Sequence, residues 1–138
     1  MVRSFGFVEH FSNFHEIIIK HASLVKEGGY LIITAPNFAG FLQRILHYYF
    51  DKENMEKHYL PSMNPFIWSK ILLECDFQIK YAGYFGGFCF WKNEDHKGFK
   101  KILFYFVSRL IIKINKLIRF ESRILSSYCG IVAQKKSK

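Results

Sequence analysis

The chain has 138 residues, half of them apolar and 22% charged, with a net charge of +9. That length suits one domain or part of one, and that mix buries a core, which excludes an intrinsically disordered chain. No apolar run approaches the roughly 18–20 residues of a membrane span; the densest, Ile102 to Val107, stops at Ser108 and Arg109.

The first residues carry Glu9 and His10 where a secretion signal needs an apolar stretch, so the sequence predicts a cytoplasmic protein. Three cysteines, Cys75, Cys89 and Cys129, lie far apart and form no C-x-x-C pair. An odd count fits no closed disulfide framework and suits a reducing compartment. A four-cysteine zinc site is excluded by count, and the histidines show no ligand-like pairing with the cysteines.

Residues 1–8 read as the end of a strand entering a loop. Ser12-Asn13 offers an N-cap, and Phe14, Ile17, Ile18, His21, Ala22 and Val25 follow at helical spacing. A helix over about 12–26 is predicted, ended by Gly28-Gly29. Tyr30 to Ala35 is a short, continuously apolar run closed by Pro36-Asn37. It predicts a central parallel strand covered on both faces.

Phe38 to Phe50 reads as an aromatic helix, and the polar segment Asp51 to Ser62 as a loop or lid. Asn64-Pro65 opens another helix, with Pro65 suited to its first position. Phe77 to Tyr84 alternates and predicts a strand with one wetter face. Phe85 to Trp91 is rich in aromatics and glycine, and Tyr128 to Gln134 predicts a last strand, neighbour and antiparallel partner of 77–84.

Charge is unevenly placed. Residues 1–96 hold nine Lys/Arg against ten Asp/Glu, whereas residues 97–138 hold eleven against one, Glu121. A long helix over about 98–120 interleaves cations with Ile102, Leu103, Phe106, Leu110 and Ile114, the pattern of a helix at an anionic membrane surface. The plainer reading is a helix packed on the sheet with a solvated basic face. Nucleic-acid binders more often spread their basicity through the fold, which disfavours that partner.

Two segments carry a resemblance. Ser4-Phe5-Gly6-Phe7-Val8-Glu9-His10 precedes a helix, and Lys26-Glu27-Gly28-Gly29-Tyr30-Leu31-Ile32-Ile33-Thr34-Ala35-Pro36-Asn37 follows it. Together they resemble the class I S-adenosylmethionine-dependent methyltransferases from their fourth strand onward. The resemblance implies an α/β, Rossmann-like methyltransferase sheet, incomplete, with strands four to seven and their intervening helices. One partial domain over 1–138 would then carry a basic helical insertion at about 97–124. It also implies methyl transfer from S-adenosylmethionine to an O, N or C nucleophile, on a small-molecule or lipid-like acceptor.

The family grips its cofactor with a glycine-rich loop after the first strand and an acid after the second. Neither is found here: Gly28-Gly29 leaves a helix for a strand, and Gly86-Gly87 follows a strand in the wrong context. The expectation is therefore a C-terminal half, from a truncated or split gene or an excised fragment, whose main cofactor motif and N-terminal half are missing.

By the same resemblance, Ser4, Phe5 and Gly6 lie near the cofactor, Glu9 and His10 serve the acceptor as general base or contacts, and Pro36 and Asn37 line the substrate mouth. As plain structure, Glu9 would steady a loop and Pro36-Asn37 a turn. Some relatives bind a metal through E-x-x-E-H; Gly6 stands at the first acid, and two ligands rarely hold a magnesium ion, so no metal site is expected. His47, His58 and Tyr59 read as solvated surface rather than an acceptor lid. Phe85 to Trp91 reads as packing rather than a stacking platform. Cys89 has no histidine placed to activate it as a nucleophile. The alternative to an enzyme is a membrane-surface or partner-binding module built on the basic helix, peripheral at the inner membrane surface.

Overall fold

The computed structural model describes residues 1–89, 99–117 and 121–137. The chain runs β1 (Val2–Phe5), α1 (Phe14–Ser23), β2 (Tyr30–Pro36), α2 (Phe41–Phe50), α3 (Lys52–Glu56), α4 (Pro65–Glu74), β3 (Phe77–Phe85), α5 (Phe99–Leu117) and β4 (Tyr128–Lys135), with single 3-10 turns at Val8–His10 and Leu60–Ser62. The strands form one open sheet in the order β1-β2-β4-β3. β1 and β2 are parallel, from Val2 opposite Leu31 to Phe5 opposite Thr34. β4 inserts between β2 and β3 and runs antiparallel to both.

One face of the sheet holds the core. Leu31, Ile33 and Ala35 of β2 and Cys129, Ile131 and Ala133 of β4 point into it at the strand period of two. Phe14, Ile18 and Ala22 of α1 and Trp68, Ile71 and Leu72 of α4 cover it at the helical period. Burial of this kind stabilises by about 25 cal/mol for each Å² of apolar surface removed from water.

The other face is only half covered: Ile32, Thr34 and Pro36 stay partly exposed. This corrects the expectation of a strand buried on both sides. The apolar run of β2 reflects a strong β-former between two partners, while its burial alternates. β1 is an edge strand among the described residues, with Phe5 60% exposed.

Local chemistry sets the boundaries. Asn64 caps α4, its side chain accepting from the Phe66 amide at 3.0 Å, and Pro65 occupies the first turn. α1 ends at Ser23, earlier than its apolar spacing predicts, because Leu24 and Val25 close onto His21 and Ala22 in 3-10 fashion. Gly28 then turns the chain at φ +70°. A bulge between Ile79 and Tyr81 shifts the β3 register. It switches which residues face inward, from Phe77 to Tyr84, so no single alternation describes the strand.

The segment 51–62 is not an irregular loop. It contains α3 and a 3-10 turn. Of the expected helix over 98–120, residues 99–117 form α5; Gly98 and 118–120 lie outside the described residues, as do Phe90 and Trp91. No helix among the described residues is long and apolar enough to cross a membrane.

Candidate functional site

The carboxyl ends of the parallel strands β1 and β2 open into a cavity of about 440 Å³. This is the end of an α/β sheet where ligands gather, because loops diverge there. Phe5 and Gly6 enter it from β1, Glu9 and His10 from the 3-10 turn that follows, and Thr34, Ala35 and Pro36 from β2. Asn54 and His58 come from the other side, with Phe38 and Tyr128 at the margins.

Gly6 makes the turn. Its φ is +61°, a conformation only glycine adopts without strain, and its amide donates to Thr34 O at 2.9 Å. A Cβ there would sit 3.5 Å from Glu9 Oε1. Glycine thus stands at position 6 for backbone reasons.

Glu9 is 1% exposed, and its Oε2 has no hydrogen-bond partner among the described residues. Burial pushes its carboxyl above the ordinary range, against the lowering effects of a backbone hydrogen bond and of nearby His10. His10 and His58 face each other with ring centroids 4.6 Å apart. Nδ1 of His10 lies 3.3 Å from Lys57 O, and Nδ1 of His58 lies 2.6 Å from Asn54 O. A carbonyl only accepts, so in each ring Nδ1 is the donor to it. Burial lowers the pKa of His58, which keeps it neutral.

Glu9, His10 and His58 each offer one ligand atom, all within 4.8 Å of one another. An imidazole–imidazole–carboxylate set suits zinc or a similar transition ion more than magnesium. His58 is the member that the sequence did not reveal. It reads as surface because it follows a polar segment, but the turn at Leu60–Ser62 and the bond from the Tyr59 amide to Glu9 O at 2.6 Å fold that segment onto the site.

The remaining candidates divide. Pro36 lines the cavity. Asn37 does not: it is fully buried, and its Nδ2 donates to Arg123 O at 2.9 Å and Ser126 O at 2.8 Å. It clamps the chain entering β4 to the end of β2. Ser4 is buried beneath the site, with its Oγ unpartnered among the described residues. His47 is not solvated: it is 1% exposed, packs on Phe38 at 3.9 Å, and its Nδ1 lies 3.1 Å from Asp51 Oδ2. The spacing of His47 and Asp51, one helical turn, was the signal for that pairing. Tyr59 is 39% exposed. Phe85 stacks on Tyr128 at 5.7 Å and Phe88 is buried, so these two aromatics pack, whereas Cys89 is exposed.

By sequence, the chain matches no family model and no curated protein. By structure, it is similar to a SAM-dependent methyltransferase from Archaeoglobus fulgidus, with TM-score 0.58 and 21% identity over 97% of this chain and 58% of that one. It is also similar to a chain assigned as a methyltransferase from Bacillus halodurans C-125, with TM-score 0.52 and 19% identity over 99% of this chain and 69% of that one. The chain has the class I methyltransferase fold and spans little more than half the length of the first of these proteins.

The buried carboxyl makes a testable mark on stability. Glu9 has a raised folded pKa, so its contribution is full below the ordinary value of 4.5 and is lost as pH rises through the folded value. Glu9→Gln keeps the shape and removes the charge. Relative to the parent, the variant is expected to gain stability between about pH 4 and about pH 8. Urea melts at both pH values check this, and a difference that does not change with pH contradicts it. His47 and His58 act with the opposite sign: burial lowers both, so the parent loses stability as pH falls through 6.5.

Proposed function

We propose that this chain is the acceptor side of an S-adenosylmethionine-dependent methyltransferase that methylates an O, N or C nucleophile. One observation carries the reading. On a methyltransferase fold, a cavity at the carboxyl ends of two parallel strands holds a buried carboxyl and two imidazoles.

The cofactor, when bound, supplies a methyl group already activated by its sulfonium. The residues described here fit only one flank of it. Gly6 and the buried Ser4 lie at the β1 end, but among the described residues no glycine-rich turn leads from a parallel strand into a helix. The chain's own task is therefore on the acceptor. Phe5, Pro36 and Phe38 bound the cavity and orient a ligand. Glu9 or His10 takes the proton that the acceptor loses, and burial brings the Glu9 pKa closer to neutrality, where a general base is most effective.

Calorimetric titration of S-adenosylmethionine into the purified chain tests the division of labour. Each missing polar contact is worth roughly 0.5–3 kcal/mol, so binding is expected to be weaker than micromolar. A micromolar dissociation constant contradicts an acceptor-side chain.

Glu9 Oε2, unpartnered among the described residues, favours a second reading, in which Glu9, His10 and His58 hold a divalent transition ion that binds the acceptor. Zinc chloride is then expected to raise the melting temperature of the parent and to leave His58→Ala unmoved. An equal response from both removes this reading and leaves Glu9 and His10 as plain bases.

A further inference from the structure

Two helices with exposed apolar faces belong to segments that leave the sheet at the end where the cavity opens. α2 follows β2 directly. α5 lies within the connection from β3 to β4, and the register shows where that connection leaves and returns. Phe85, the last residue of β3, pairs with Tyr128, the first of β4, and Tyr128 pairs with Pro36 at the end of β2. Pro36 and Tyr128 both line the cavity. The inserted segment therefore starts and ends beside the cavity mouth.

The outward face of α5 is apolar and cationic together. Ile102, Tyr105, Phe106 and Leu110 are 58–71% exposed, and Arg109 and Lys113 are exposed among them. Arg109 donates to Tyr105 Oη at 3.0 Å, which keeps that cation on the same face. No acid occurs anywhere in 97–120. On α2, Phe41 and Tyr49 are each 68% exposed beside the exposed Arg44, along a shallow groove, and α2 also lacks an acid.

We propose that this end of the molecule docks on an anionic lipid surface. The apolar side chains of α5 and α2 enter the headgroup region while Arg109, Lys113 and Arg44 meet lipid phosphates. Tyrosines suit that depth, with an apolar ring and a polar tip. The charge pattern chooses the occupant. Pairing this face with a second copy would set cations against cations, whereas an anionic surface neutralises them. The docked orientation brings the cavity mouth to the lipid, so the acceptor class is an amphiphile resident in that surface. That last step rests on the methyltransferase reading; the docking does not.

Sedimentation of the full chain with vesicles tests it without any cofactor, so its outcome is independent of S-adenosylmethionine binding. The parent is expected to pellet with phosphatidylcholine vesicles containing phosphatidylserine and to stay in the supernatant with phosphatidylcholine alone. A cation near such a surface is worth roughly fivefold in affinity, so Arg109→Gln with Lys113→Gln is expected to weaken binding on the order of 30-fold. Phe106→Ser with Leu110→Ser should abolish pelleting while circular dichroism stays unchanged. The proposal is overturned if the parent does not pellet, or if both double variants pellet like the parent. It is equally overturned if the parent is a dimer in sedimentation velocity that Phe106→Ser with Leu110→Ser dissolves, since a second copy then occupies the face.

Discussion

Replacing Trp68 with alanine is expected to cost about 3–5 kcal/mol and to leave little folded protein near physiological temperature. Trp68 is fully buried between α4 and the sheet, and it is the largest fully buried side chain among the described residues. Its Nε1 donates to Ser62 O at 2.7 Å, which ties the 3-10 turn after α3 to the core. Alanine would open a cavity and strand a buried carbonyl at once. Trp68→Phe keeps most of the volume and loses the hydrogen bond, so its expected cost is about 1–3 kcal/mol. Urea melts followed by circular dichroism separate the two. A loss below about 1 kcal/mol for alanine would contradict the packing described.

Asn37→Ala is expected to cost about 2–4 kcal/mol, because it leaves the carbonyls of Arg123 and Ser126 without their buried donor. Asn37→Asp should cost more. It keeps the shape but places a carboxylate against two carbonyl oxygens. If Asn37 served only as a substrate contact, both variants would melt with the parent. Equal stability of all three proteins is therefore the result that contradicts the clamp.

Much of the fold is legible in the sequence because its signals are local. Asn64-Pro65 announces α4, and the antiparallel neighbours 77–84 and 128–134 are each marked by β-formers. β2 stands out between Gly28-Gly29 and Asn37, although its half-covered face does not, since composition reports a strand's propensity and not what lies above it. α3 escapes notice because five mostly polar residues carry no apolar stripe.

The site is legible only where neighbours in sequence are neighbours in space. Gly6, Glu9 and His10 follow one strand end, and the fold delivers all three to the cavity. His58 joins them through tertiary contacts, among them the bond from the Tyr59 amide to Glu9 O and that between His10 Nδ1 and Lys57 O, which no spacing rule encodes. Asn37 shows the reverse case. Its place after β2 marks a mouth residue, yet its amide turns inward to hold the β4 connection.

Amide chemical-shift mapping with millimolar S-adenosylhomocysteine tests most directly whether the β1 end faces a methyl donor. Weak, saturable shifts are expected at Phe5, Gly6, Glu9, Thr34 and Ala35, the backbone that frames the cavity. The amides of α4, on the core face, should stay still. Shifts confined to those five positions are the result the account predicts. An unchanged spectrum, or shifts centred on α4 and β3, would contradict it.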